Sequence, residues 1–172
     1  MWPSVVFALS LAAAPQSNPV QPVDSVDLDR YVGRWHEIAR YPNRFQRQCA
    51  GDVSATYGRR EDGRIRVVNR CRTADGMDEA EGVARVVEGS GNARLKVRFA
   101  PAWLGFLPFV WGDYWVIGLA EDYRWAVVGT PDRKYLWILA RDQAMPEDDW
   151  NAALERAREN EFDVGRLQRT PQ

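Results

Sequence analysis

The sequence predicts an all-β domain, an eight-stranded antiparallel up-and-down barrel with one C-terminal α-helix packed outside. Three observations predict it. From Gly33 onward, short runs of alternating apolar and polar residues recur at the spacing of antiparallel sheet proteins. Turn signals separate the runs (Asp62-Gly63, Asp75-Gly76, residues 89–92, Glu121-Asp122 and residues 131–133), so neighbours in sequence become neighbours in the sheet. A single amphipathic stretch after residue 146 departs from this texture. Eight strands of such length close into a barrel whose interior holds either side chains or one small ligand.

Residues 1–14 are expected to be a signal peptide. The apolar run 5–14 ends in Leu-Ala-Ala-Ala and is too short to span a bilayer as a helix. Residues 15–25 read as a polar, Pro-rich linker, and 26–172 as the barrel domain. The candidate strands are 33–41, 52–60, 64–72, 79–88, 93–100, 112–120, 123–130 and 134–141. Pro146 is tolerated as a first helical residue, Glu147, Asp148 and Asp149 complement the helix dipole, and Trp150, Ala153, Leu154 and Ala157 form one stripe. Residues 162–168 have room for a short edge strand.

Composition narrows the function. Over 172 residues, 23 basic against 24 acidic groups leave a formal charge of -1, so no basic field favours nucleic acid. One histidine, His36, and two cysteines cannot build a structural zinc site or a three-histidine catalytic one, and no cofactor is expected. Alternation turns His36 outward behind Trp35, and no Gly-x-Ser-x-Gly elbow is present, so an enzyme is not expected. What is abundant is aromatic: 8 Trp, 6 Tyr and 6 Phe.

Outside the cytoplasm, Cys49 and Cys71 would be a disulfide. A two-residue turn at Asp62-Gly63 places Cys71 opposite Ser54, so the bridge needs a bulge near Gly51 or a chain that folds back before the strand. A reduced buried pair is the alternative.

Residues 29–40 (DRYVGRWHEIAR) resemble the first signature of the lipocalin family, a helical turn followed by Gly-x-Trp. Residues 119–123 (LAEDY) fall where the second signature lies, without its usual Thr-Asp, and residues 137–141 (WILAR) resemble the third. The run 131–139 is similar to the bacterial, Blc-like outer-membrane lipocalins and to the apolipoprotein D branch. The resemblance implies a carrier of fatty acids or lysophospholipids at the periplasm or the periplasmic face of the outer membrane, serving membrane maintenance. It also implies a homodimer, while peripheral membrane contact is expected from the uncharged connection 101–111 itself. No cysteine follows the apolar run, so a lipid anchor is not expected. A lipocalin-fold enzyme acting on a small hydrophobic guest, and a ligandless envelope interaction module, are the competing classes.

In a closed meander Trp35 and Arg141 meet at the same end, where the guanidinium stacks on the indole as a structural plug beside Gly33. Anchoring Trp35 as inward makes Glu37 and Ala39 inward, with Arg141 the expected partner of Glu37 unless that carboxylate reaches solvent at the base. Alternation then picks out the lumen wall. It comprises Val53, Ala55 and Tyr57; Ile65, Val67 and Asn69; Gly82, Ala84 and Val86; Leu95, Val97 and Phe99; Tyr114 and Val116; and Tyr135, Trp137 and Leu139. Small residues there leave room for a guest, unless the large aromatics fill the barrel as a solid core. The uncharged connection 101–111, with Trp103, Phe106, Phe109 and Trp111, sits at the mouth beside Arg44 and Arg47. A loop so apolar packs across the mouth, faces a second subunit or meets lipid.

Overall fold

The computed structural model describes residues 17–99, 107 and 110–172. The expected signal peptide, and Trp103, Phe106 and Phe109 of the mouth loop, lie outside the described residues. A short helix α1 (Leu28–Tyr31) precedes eight strands: β1 (Gly33–Arg40), β2 (Gly51–Arg59), β3 (Ile65–Thr73), β4 (Gly76–Val86), β5 (Arg94–Arg98), β6 (Gly112–Leu119), β7 (Trp125–Gly129) and β8 (Leu136–Ala140). Helix α2 (Glu147–Glu159) and a two-residue strand β9 (Gln168–Arg169) follow. Each strand from β2 to β7 pairs antiparallel with the next, and β1 pairs with both β8 and β2, closing the barrel.

The closure is split along β1. Residues Gly33 to His36 pair with Tyr57 to Ser54 of β2, whereas Ala39 and Arg40 pair with Arg169 and Gln168 of β9. Past the split the C-terminal tail stands where β2 has diverged, and the Pro171 carbonyl accepts from Asp52 N at 2.8 Å.

Two apolar clusters sit on opposite faces of the same strands. The inner one gathers Tyr31, Trp35, Tyr57, Ile65, Val67, Ala84, Leu95, Val116, Ala126, Val128 and Leu139 at the lower end of the barrel. The outer one packs Ala153 and Ala157 of α2 against Ile117, Trp125, Val127, Ile138 and Phe162, as the helical stripe requires, with Trp150 and Leu154 at its edge. Pro146 is the N-cap rather than the first helical residue, and the acidic side chains of Glu147, Asp148 and Asp149 occupy the first turn. The stretch after the helix is a single 3-10 turn, Val164–Arg166, before β9. The segment 17–26 packs on the barrel: Val20 and Val26 are buried, Val23 N donates to Val116 O at 2.8 Å, and Gln21 N donates to Asn160 Oδ1 at 2.6 Å.

Two departures from simple alternation matter. The β2–β3 hairpin turns through three residues, Glu61 to Gly63, rather than two. Arg60 N donates to Arg64 O at 2.9 Å, which shifts the register by one and pairs Ser54 with Arg70 instead of Cys71. Gly63 takes a positive φ of 78°, the left-handed residue that such a loop demands. On β1, a bulge between Glu37 and Ala39 sends Ala39 to the outer cluster and turns Arg40 toward Trp137, on the lumen side.

Candidate binding site in the barrel lumen

The base is plugged by Trp35 and Arg141. Trp35 is fully buried, and its Nε1 donates to the Tyr31 carbonyl at 2.8 Å. The Arg141 guanidinium lies 3.8 Å from the centroid of the Trp35 ring. Its nitrogens donate to five carbonyls: Val32 (3.1 Å), Arg34 (3.0 Å), Arg30 (2.6 Å), Tyr31 (3.2 Å) and Tyr123 (3.3 Å). These include the carbonyls at the C-terminal end of α1, which have no partner within so short a helix. Gly33 turns the chain into β1 with φ of 100°, and a Cβ there would stand 3.2 Å from Arg141 Nη1. The clamp therefore needs glycine on both conformational and steric grounds.

Above this plug lie three tyrosines. Tyr57 Oη donates to Tyr114 Oη at 2.9 Å, and the Tyr31 and Tyr114 hydroxyls are bonded at 2.8 Å. Burial pushes the Tyr57 phenol up to about 12, and it raises Tyr31 and Tyr114 further. All three phenols are neutral at any physiological pH.

Higher on the wall, inward side chains become accessible. Ala55, Val97, Tyr114, Tyr135 and Trp137 are half-buried, and Asn69 is exposed. In a solid barrel all of these would be buried. Phe99 is 44% exposed, and its Cδ1 would lie 2.7 Å from a Cβ on Gly82, so the ring rests on the space that the missing side chain leaves. Tyr135 and Trp137 stack with centroids 5.8 Å apart, and Phe45 approaches Tyr135 at 5.6 Å.

A polar knot ties the mouth. Glu37, only 3% exposed, accepts from Arg40 Nη1, Gln46 Nε2 and Thr170 Oγ1, each at 2.6 Å. Gln46 Oε1 in turn accepts from Trp137 Nε1 at 3.1 Å and from Asn43 Nδ2 at 2.7 Å. One buried carboxylate thus joins β1, the 42–50 lid and the C-terminal tail. Three donors answer its charge, the arrangement that a buried ion needs. The same lid is tethered to β3 by the Cys49–Cys71 disulfide, with Cα atoms 5.5 Å apart. A bulge between Gly51 and Ser54, with Asp52 at φ of 49°, makes that bridge reachable.

Residues 26–172 match the model of the lipocalin-like domain. The chain belongs to the lipocalin family. It is 39% identical over 165 residues to the outer membrane lipoprotein Blc of Escherichia coli (strain K12), covering 95% of this chain and 88% of that protein. It is 39% identical over 159 residues to temperature-induced lipocalin-1 of Arabidopsis thaliana, covering 91% and 85%, and 32% identical over 166 residues to apolipoprotein D of Macaca fascicularis, covering 91% and 81%. Among solved structures, insecticyanin from the tobacco hornworm Manduca sexta superposes with a TM-score of 0.70 at 20% identity, covering 91% of this chain and 86% of that one, which is agreement of fold.

Within this lipocalin the positions singled out in the sequence divide into layers. Tyr57, Ile65, Val67, Ala84 and Val116 are buried in the floor, and Val53 is buried beside the β2 bulge. Ala55, Asn69, Val97, Phe99, Tyr114, Tyr135 and Trp137 lie above the floor, half-buried or exposed, whereas Val86, nearer the base than Ala84 on β4, is half-buried at the lower rim. Arg44 and Arg47 are exposed on the lid, and Trp111 lies between the guanidinium groups of Arg85 (4.4 Å) and Arg98 (5.0 Å). Two expectations need correcting. Arg141 is not the partner of Glu37, because it is committed to carbonyls at the other end of the barrel; Arg40, brought inward by the bulge, takes that role. Ala39 correspondingly faces the outer cluster. Sequence reasoning missed Tyr31, Arg40, Gln46 and Thr170. Tyr31 had a signal, a large aromatic four residues before the Gly-x-Trp tryptophan in a helical turn that must cap something.

Proposed function

We propose that this protein is an exported lipocalin of the bacterial envelope that takes one acyl lipid, a fatty acid or a lysophospholipid, into its lumen for storage or transport in membrane maintenance. One observation carries the reading: along the inward faces of the strands, burial is complete at the floor and gives way above it to an accessible, largely apolar wall containing Ala55, Gly82 and Val97. A wall of that kind gains about 0.8 kcal/mol for each methylene that an acyl chain removes from water. Its fixed groups are neutral at the floor, and the buried carboxylate near the mouth already holds three donors. Nothing along the wall therefore demands a charged guest, and a charged head group is best left at the rim, near Arg44 and Arg47.

The rim supports collection from a membrane. The most exposed large apolar side chains among the described residues, Phe45 (57%), Met77 (62%) and Phe99 (44%), all stand at the mouth end. The outer-membrane relative in Escherichia coli supports the envelope as the location. Native mass spectrometry of the protein purified without detergent is the test. One bound acyl lipid per chain is expected; an empty chain that also takes up no fatty acid or lysophospholipid when offered them contradicts the proposal.

A further inference from the structure

The three phenols at the floor cannot satisfy one another. Each hydroxyl brings one proton, so three hydroxyls bring three. Only two hydrogen bonds join them, Tyr57 to Tyr114 and the Tyr31–Tyr114 contact. If Tyr114 donates to Tyr31, the Tyr31 proton has no acceptor; if Tyr31 donates to Tyr114, the Tyr114 proton has none. Among the described residues no other group bonds to these hydroxyls. Tyr31 is 4% exposed and Tyr57 is 7% exposed, so bulk water does not reach that side of the cluster, and the free proton falls to Tyr114 when Tyr31 donates to it. Tyr114, the member that both bonds share, is half-buried and forms the boundary with the accessible lumen.

We propose that this unpaired phenolic proton is a selectivity station, recognising guests whose inner end carries an uncharged oxygen acceptor such as a ketone, an ester carbonyl or a hydroxyl. The inference rests on the lumen being the ligand site. An uncharged acceptor is favoured because nothing at the floor neutralises an anion. The nearest guanidinium, Arg141, lies beyond the Trp35 indole with its donors committed to five carbonyls. The phenols themselves resist ionisation through burial, and a bare carboxylate among them meets the same desolvation. The floor therefore distinguishes an oxygenated chain end from a plain methyl end, while the wall above accepts either.

The test compares hexadecanoate with keto-hexadecanoates bearing the oxo group at successive positions along the distal half of the chain. Affinities are read by displacement of a fluorescent lumen probe from wild type and from the Tyr31→Phe/Tyr57→Phe/Tyr114→Phe variant. Substituting all three phenols together leaves no buried donor or acceptor behind and preserves the rings, which keeps the change close to neutral for folding. For at least one oxo position, the ratio of keto to plain affinity is expected to fall about fivefold or more in the variant, the loss of one net hydrogen bond. As a measurement on the wild type alone, a 13C-labelled ketone at that position is expected to show a lowered carbonyl stretch relative to the same ketone in alkane. Equal ratios in the two proteins at every position, or an unshifted stretch, overturn the station while leaving acyl binding intact. Failure of plain and keto acids alike to bind wild type overturns both this inference and the proposed function.

Discussion

The two ends of the barrel are built by the same strands and use their polar groups in opposite ways. At the base one guanidinium, Arg141, gathers five carbonyls from α1, β1 and the β6–β7 turn, so a cation organises backbone that would otherwise lack partners. At the mouth one carboxylate, Glu37, gathers side chains from the lid, β1 and the tail, beside the disulfide, the short β9 pairing and the Asp52–Pro171 backbone bond. The base is backbone gripped by one planar fork, whereas the mouth is a set of side-chain pairs that join a strand, the lid and the tail. The difference predicts where each substitution acts: on the whole barrel at the base, and on the lid and tail at the mouth.

Substitution of Arg141 by Ala should break the comparison most severely. It removes five hydrogen bonds and the stacked cation, and a loss of about 4 kcal/mol is expected in urea unfolding. Arg141→Lys is expected to recover only a minor part, since a point charge cannot reproduce the fork. The mouth counterpart, Glu37→Ala, strands the Arg40 guanidinium and frees Gln46 and Thr170. Arg40 keeps 16% side-chain exposure and can be partly rehydrated, so a smaller loss of about 2 kcal/mol is expected, together with faster proteolysis within residues 42–50. If the two losses came out in reverse order, the base would not be the stabilising end.

A subtler separation comes from alkali. The unfolded phenols ionise near their ordinary value, about 10, whereas Tyr57 is held up to about 12 and Tyr31 and Tyr114 are raised further. Above pH 10 the unfolded chain thus binds fewer protons than the folded one, and stability falls with rising pH. It is expected to be unaffected by these groups below pH 10. The fall should flatten in the Tyr31→Phe/Tyr57→Phe/Tyr114→Phe variant, measured by urea midpoints between pH 9 and 12.

Much of this was readable in the chain. Eight alternating runs gave strand order and closure, and the Trp35–Arg141 pair was predictable from two ends of a meander meeting. The need for a bulge near Gly51 followed from counting residues between the cysteines, although the count itself was off by one at the Glu61 to Gly63 loop. What escaped was whatever depended on register rather than on local pattern. Alternation read through Glu37 puts Ala39 inside, and only pairing with β8 reveals the bulge that substitutes Arg40. Thr170 was invisible for a related reason: its contact with Glu37 spans nearly the whole chain and exists only because β9 fills the gap that β2 leaves. The lumen wall was legible as a set of faces, but its division into a sealed floor and an accessible upper part came from the tyrosine cluster, whose key member, Tyr31, belongs to a helix.

Intermolecular nuclear Overhauser effects from a 13C-labelled fatty acid bound to the delipidated protein test the central claim most directly. Contacts from the acyl methylenes to the side chains of Ala55, Val97 and Trp137 are expected, with none to Ile117, Val127 or Ala153 beneath α2. Contacts centred on that outer cluster, or a bound chain with none to the upper wall, would contradict it.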